Sequence, residues 1–512
     1  MKRLLLLLAV LLEPLAHAYA DSAHDEVYGV RQYGAIGDGK TLDTTAIQKA
    51  INAASAAGGG TVVFTPGTYL SSSLQMRSQV TLQLEKDATL LGSPVRTGYQ
   101  KANFYALLVA DEQMNVGIRG KGVIDGNGAL LAADTRKLAN EGILPDAKEG
   151  QRPLIINFRK CKGVTVSGIT LRNSAMWVQD YRECEDLLLE NITVRSNVVQ
   201  NNDGIDITDC KRVVVRGCDI DSEDDGICPK SSSPTKFCED ILIENCRVRS
   251  SCNALKFGTA SKGGFKNITV RNLEIYDTYQ SAIALELVDG GAMENINISN
   301  IKISDCNNPL FIRLGNRNDG KPGTVQGISI SDVTAVIPSR PPGAKCQYLD
   351  HWHHYKNSLT TALIVGLPGH PIRNVKLRNI SFRYGGIGRE PQPKHILLKD
   401  LKKVSEQTKE YPEAWRFGIV PAWGLYMRHV EGIELENVTL KVKGTDYRAA
   451  LLCDDAKNIS CKSLKILSAG KEPVIVLHDV QGATFRDTVA PPDTVEFIRK
   501  IGDTSQVQES AK

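Results

Sequence analysis

A short pattern of apolar positions, apolar-x-apolar-x-x-apolar-x-apolar, recurs along most of this chain. It occurs as Val164/Val166/Ile169/Leu171, Leu187/Leu189/Ile192/Val194, Val213/Val215/Cys218/Ile220, Ile241/Ile243/Cys246/Val248, Ile268/Val270/Leu273/Ile275 and Ile296/Ile298/Ile301/Ile303. These copies start 23, 26, 28, 27 and 28 residues apart, and later copies begin at Val375, Ile433 and Ile459. Alternation with period two predicts strand, and the two-residue break in each copy predicts a bend between two short strands. One such unit cannot bury its inward face alone; stacking coils about 4.8 Å apart makes the core continuous. A leucine-rich repeat has a similar period but would carry its own leucine framework, which is missing here. The prediction is an all-β, single-stranded right-handed parallel β-helix over residues 21–502.

The ends and interruptions fit that architecture. Asp43 or Thr44 is placed to cap a helix running to about Ala57, with Ala46, Ile47, Ala50, Ile51 and Ala54 on one face and Gly58-Gly59-Gly60 as its stop. Such a helix would plug the first coil, whose sheet edges are otherwise open. Residues 335–365 and 386–430 break the repeat and are expected to be loop insertions. The polar tail, Asp503–Lys512, is expected to fray.

Length alone would suggest two or three domains for 512 residues, but the repeat overrides that prior. At the N-terminus, Lys2 and Arg3 precede an apolar run from Leu4 to Leu12, and small residues follow up to Ala18 or Ala20. That order predicts a secretory signal peptide over residues 1–20, too short to span a membrane. The net charge of +4 drops to about +3 without Lys2, Arg3 and Glu13. The balance carries no basic footprint for nucleic acid, and no membrane association is expected after the leader is removed.

The second strand of each coil carries the chemistry. Asp203-Gly-Ile, Asp225-Gly-Ile, Asn253-Ala-Leu, Ser281-Ala-Ile and Asn308-Pro-Leu align at 22, 28, 28 and 27 residues, in step with the repeat. The even columns that follow are almost wholly apolar and face the core. The odd columns hold Asp206, Cys228, Lys256, Ala284 and Phe311, then Thr208, Lys230, Gly258, Glu286 and Arg313, and face the other way. One face therefore collects Asp203, Asp206, Asp225, Lys230, Lys256, Glu286 and Arg313, with Asn202, Asp224 and Asn253 beside it. A surface carboxylate is ordinarily just a solvated group. Glycoside hydrolysis, however, needs one protonated acid and one carboxylate that activates water or attacks, and clustered acids raise one another's pKa.

These residues carry a resemblance. Asn202-Asp203-Gly204-Ile205-Asp206 and Glu223-Asp224-Asp225-Gly226-Ile227-Cys228 resemble the two acidic motifs of glycoside hydrolase family 28, which contains polygalacturonases and rhamnogalacturonases. The likeness extends to Asp38–Asp43, Gly120–Gly126 and Asn173–Trp177, and covers most of residues 28–465. It implies a pectin-lyase-like β-helix and inverting hydrolysis by three aspartates, with Asp224 as general acid and Asp203 and Asp225 activating water. The implied partner is a pectic polysaccharide or oligosaccharide, and the counted face predicts that Asn202, Asp206, Lys230, Asn253, Lys256, Glu286 and Arg313 contact it. No cofactor or metal is implied.

The departures from the family matter as much. Polygalacturonases carry Gly-His-Gly one coil after the paired aspartates, where this chain has Cys252-Asn253-Ala254. They then carry Arg-x-Lys, which grips the substrate carboxylate; Ala284 and Glu286 stand at those positions. A galacturonate there is expected to meet repulsion unless Lys256, Lys230 or Arg313 takes over, so the expectation is a kept chemistry with a rebuilt substrate grip, acting on a neutral sugar or a pectic linkage other than plain polygalacturonan. A salt bridge from Glu286 to Lys256 is the plainer reading of Glu286.

Other features take bland readings. Cys161, Cys184, Cys210 and Cys238 share one phase of the repeat, as do Cys218 and Cys246, so a stacked packing ladder is expected before disulfides. Asn191, Asn267, Asn297, Asn379 and Asn437 lie in sequons but fall in repeat phase, as turn and strand residues do. His351, Trp352, His353 and His354 suggest a substrate-side aromatic loop rather than a metal site. Tyr411-Pro412-Glu413 and Tyr426–His429 are expected to flank the cleft. Two other classes remain: a polysaccharide lyase of the same fold, which would call for calcium and a basic residue, and a non-catalytic carbohydrate-binding β-helix.

Overall fold

The computed structural model describes residues 26–339, 360–388, 390–444, 446–467, 473–492 and 494–510. The expected leader and the His351–His354 loop lie outside these residues. Within them the chain winds as a parallel β-helix, each strand pairing in register with its equivalent one coil on. Val164, Leu187, Val213, Ile241, Ile268 and Ile296 pair in succession, and the column continues through Ile328, Val375, Ile433 and Ile459 to Ala483. These side chains are all buried within one continuous apolar core. The copy at Ile328 falls between those read from the pattern at 296 and 375. Strand Thr324–Ile337 therefore carries repeat structure into the stretch expected to interrupt it.

The bends between strands explain the asparagines. Asn191, Asn267, Asn379 and Asn437 all have φ near +55°, the left-handed conformation that Asn tolerates better than most residues. Several also bond along the axis: Asn295 donates to Asn267 at 2.8 Å and Asn437 to Asn379 at 2.9 Å. The eleven described cysteines are buried free thiols, and the Cys184 and Cys210 sulfurs accept backbone N–H bonds from the preceding coils' Cys161 and Cys184.

The helix expected at the first coil spans Thr44–Ala56 and buries Ile47, Ala50, Ile51 and Ala54. Asp43 stands at the N-cap and its carbonyl accepts the Ile47 N–H at 3.0 Å, but its side chain makes no capping bond. Its carboxylate instead accepts the N–H groups of Ile36 and Gly37, at 2.8 and 2.9 Å, and so closes the preceding loop. A second helix, Gly128–Asn140, was not legible, because only a narrow stripe (Leu131, Ala132, Thr135) faces inward. The tail also departs from expectation. Ser505–Ser510 adds a parallel strand to Ile475–Arg486, because its backbone completes an otherwise open edge whatever its side chains.

The insertion at 386–430 is an outer layer rather than a free loop. Leu401, Val404, Ala414, Phe417 and Val420 pack on Ala284, Phe311, Leu363, Tyr426 and Leu452, which are the outward side chains of the sheet. This second apolar cluster roofs one side of the column that holds the acids.

Candidate active site

The acids sit at one bend of two successive coils. Gly204 N–H bonds to Asp225 O at 2.8 Å and Gly226 N–H to Asn253 O at 2.8 Å, which locks the bends in register. Glycine follows each acid for a steric reason. A Cβ at Gly226 would lie 2.5 Å from both Ala254 O and Val248 Cγ1, closer than atoms can pack. The backbone beneath Asp224 is clamped by two hydroxyls, Ser222 and Ser250, which donate to its carbonyl at 2.8 and 2.7 Å.

Asp203, Asp224 and Asp225 converge. A carboxylate oxygen of Asp203 lies within 4.8 Å of one of Asp225, and the same holds for Asp224 and Asp225. They are 4%, 9% and 4% exposed, so Asp224 is the most accessible of the three. The face expected to be an open surface is therefore largely covered, and burial raises the stakes of every charge on it.

Their environments differ. Asp224 accepts the Asp225 N–H at 2.9 Å and lies 3.4 Å from the Asn201 amide. Burial, then the charges of Asp203 and Asp225, push its carboxyl well above the usual range. Asp225 is also buried, but the Lys256 and Lys230 ammoniums and the Asn253 amide outweigh that cost and hold it below its ordinary value. Lys256 Nζ is 3.1 Å away, and Asn253 Nδ2 donates at 2.9 Å. Burial lifts Asp203 to about 6 against the pull of Lys230, whose ammonium donates to it at 2.9 Å. Two adjacent carboxyls are thus displaced in opposite directions, the kind of split on which acid–base chemistry can draw.

The remaining predicted residues divide. Lys230 also contacts Asp206 and lies 4.5 Å from the centre of the Trp177 ring. Lys256 is within 3.9 Å of Glu286, as the salt-bridge reading anticipated, and within 3.6 Å of Glu413; it donates to Tyr411 Oη at 3.2 Å. Burial raises the Glu286 carboxyl, and lifts Glu413 to about 7. Asn202 is fully buried and supports the bend: its amide donates to Ser174 O and Met176 O and accepts from Ser196 Oγ. Arg313 does not join the cluster. Its guanidinium donates to the carbonyls of Val365, Gly366, Glu406 and Gln407, and so fastens the outer layer. Sequence reasoning put Tyr411 and Glu413 only at the cleft's flank; their contact with Lys256 had no signal in the repeat.

Two sets of donors, Asp203/Asp225/Cys228 and Asp224/Asp225/Cys252, bring one atom each to within 4.8 Å, as a metal site would. The ammoniums of Lys230 and Lys256 already lie against these carboxylates. A divalent cation there would meet like charge.

The sequence profile described as glycosyl hydrolases family 28 matches residues 60–337. The chain is 28% identical over 385 residues to an exo-poly-alpha-D-galacturonosidase of Dickeya chrysanthemi, covering 64% of this chain and 61% of that one. It is 27% identical to a polygalacturonase of Chamaecyparis obtusa, covering 59% and 58%. It thus spans about 60% of the length of these curated relatives. Among solved structures, a family 28 exopolygalacturonase of Yersinia enterocolitica superposes with TM-score 0.62 at 18% identity, over 90% of this chain and 78% of that one. A hyperthermoactive exopolygalacturonase from Thermotoga maritima gives 0.59 at 21%, over 73% and 91%. At such identity these two likenesses concern the fold.

Proposed function

The chain belongs to glycosyl hydrolases family 28, and from that membership we propose that it hydrolyses glycosidic bonds in pectic polysaccharides, with Asp224 as general acid and Asp225, assisted by Asp203, activating water. The observation that carries this reading is the opposite displacement of two adjacent carboxyls, Asp224 upward and Asp225 downward. Asp224 gives its proton to the leaving oxygen, and the Asp225 carboxylate takes one from the attacking water. Separated carboxyls of ordinary inverting enzymes stand about 6.5–9.5 Å apart. The oxygens of Asp224 and Asp225 lie within 4.8 Å, so an inverting course needs the water beside the Asp203–Asp225 pair rather than between Asp224 and Asp225. The anomeric form of the first product, read by NMR, tests that course. The basic, apolar and small-residue order of residues 1–20 supports export of the chain before it acts.

The substrate reading is narrower. Ala284 and Glu286 stand where family members place Arg and Lys, and the two neighbouring cations are already taken, Lys230 by Asp203 and Asp206, Lys256 by Asp225, Glu286 and Glu413. A uronate carboxylate at that position would find no free cation, because neither Ala284 nor Glu286 supplies one. The enzyme is therefore a poor hydrolase of plain polygalacturonan and acts on a neutral or mixed pectic linkage. Reducing-end release from polygalacturonan, rhamnogalacturonan and neutral side-chain oligosaccharides tests this. Polygalacturonan turnover at rates equal to the best of the three would overturn the substrate reading, and no release from any of them would overturn the hydrolase.

A further inference from the structure

The outer layer delivers two side chains of one short segment to the acids. Tyr411 Oη accepts from Lys256 Nζ at 3.2 Å, and Glu413 Oε1 lies 3.6 Å from the same ammonium. Pro412 stands between them, buried, and its ring holds φ at about −65° as in any proline. Both neighbours of this stiff residue therefore reach one nitrogen. Lys256 Nζ is in turn 3.1 Å from Asp225, so the Tyr411 hydroxyl stands two contacts from the carboxylate proposed to activate water.

Tyr411 differs from its neighbours in exposure. Lys256, Asp225 and Glu413 are 1%, 4% and 5% exposed, whereas Tyr411 is 45% exposed. Among the described residues it is the one exposed Phe, Tyr or Trp side chain. Its tip lies inside the cluster, where burial pushes the phenol well up. The exposed part is therefore the ring. Lys256 does not sit over the middle of that ring. The ammonium is 5.1 Å from the ring centre but 3.2 Å from the hydroxyl oxygen, so it caps the polar end. A surface tyrosine is ordinarily a solvated, mobile group. One whose hydroxyl is fixed by a buried ammonium has already lost the freedom that ligand binding would otherwise have to remove. An aromatic ring with an anchored polar end and an outward apolar body is a preorganised contact surface.

We propose that Tyr411 is a substrate-binding residue, its exposed ring forming the platform on which a pyranose unit of the polymer stacks as the chain passes Lys256 and Asp225. It rests on the pectic-hydrolase reading only for the identity of the polymer. A chair pyranose presents C–H groups on one face, and an aromatic ring takes that face whether or not the sugar bears a carboxylate. The platform thus supplies a grip that calls for no cation, close to Glu286, which supplies none.

The test uses the full chain carrying Asp224→Asn and three probes: trigalacturonate, the same trisaccharide with its carboxylates reduced to hydroxymethyl, and an alternating rhamnose–galacturonate tetrasaccharide. Calorimetry should show at least one of them binding. Tyr411→Ala should weaken every probe that binds by about tenfold, while Tyr411→Phe, which keeps the ring, should stay within about threefold of the parent. Should the Ala variant melt early, Tyr411→Leu, which fills the space without a ring, takes its place under the same thresholds. With Asp224 intact, Tyr411→Ala should raise KM more than it lowers kcat. Binding of none of the probes, a loss in the ringless variant of under about threefold, or a Phe variant as weak as the ringless one overturns the platform. An unchanged KM with a shifted acidic limb of the pH–rate profile also overturns it, because Tyr411 would then only support Lys256. Binding is read without turnover, so the two readings fail separately. Ring-dependent binding in a chain that hydrolyses no pectic substrate upholds the platform and removes the hydrolase.

Discussion

Lys256 Nζ lies 3.1 Å from Asp225, and neither side chain is more than 6% exposed. That contact offsets the burial cost of Asp225 and keeps it ionised. Lys256→Met should therefore raise the Asp225 pKa. The acidic limb of the pH–rate profile should move to higher pH, with at least about a tenfold loss in kcat/KM on its acid side. Lys256→Arg should recover much of it. An unmoved acidic limb in a folded Lys256→Met chain would remove Asp225 from the base role.

Asp224→Asn should leave the fold intact and lower kcat by about 10²–10⁴-fold, the usual worth of general acid catalysis. The amide can still accept the Asp225 N–H, so the bend keeps its shape. Turnover near the wild-type rate would exclude Asp224 as the acid.

Stability should also follow pH. Burial raises Asp203 from an ordinary 3.8 to about 6 and Glu413 from 4.5 to about 7. Between roughly pH 4 and 7 the folded chain then holds more protons than the unfolded one at these sites, so they favour folding less as pH rises. The melting temperature should fall from pH 5 to pH 7.5, and Glu413→Gln should flatten that slope. A melting temperature rising across this window with the same slope in Glu413→Gln would contradict these environments.

Activity should persist in chelator, with no unsaturated product. The ammoniums of Lys230 and Lys256 already neutralise the carboxylates that a calcium ion would need. Loss on chelation and recovery on added calcium would point to the lyase reading.

The architecture was legible because it is periodic. The inward columns repeat every two residues within strands and every 22–28 between the aligned acidic bends, so Asp203, Asp225 and Asn253 could be stacked by counting. What has no period was not legible. Glu413 reaches Lys256 only because the insertion folds back over the sheet, and its sequence carries no mark of where it lands. Arg313 occupies an outward column as counted, but direction alone does not reveal that four carbonyls are waiting for it. Asn202, adjacent to an acid, was read with it for the same reason, although its amide holds Ser174 and Met176.

Arg313 makes the outer layer part of the site. With Arg313→Ala, the Glu406 and Gln407 carbonyls lose a charged donor, at about 1.5–3 kcal/mol per bond before relaxation. Residues near 404–417 should become accessible to protease well below the melting temperature, and kcat/KM should fall because Glu413 is no longer held against Lys256. Unchanged proteolysis would show that apolar packing alone secures the layer.

The stacked bends separate two kinds of inheritance. Every coil answers to its neighbours through the same inward columns, while the two residues at a bend divide the labour: Asn202 holds the chain and Asp203 faces the site. A substitution at a site-facing bend position edits one station on a molecular rail without retuning the rails beneath. A lineage can therefore keep its cutting station at Asp203, Asp224 and Asp225 while rewriting, coil by coil, which polymer is held in place to be cut.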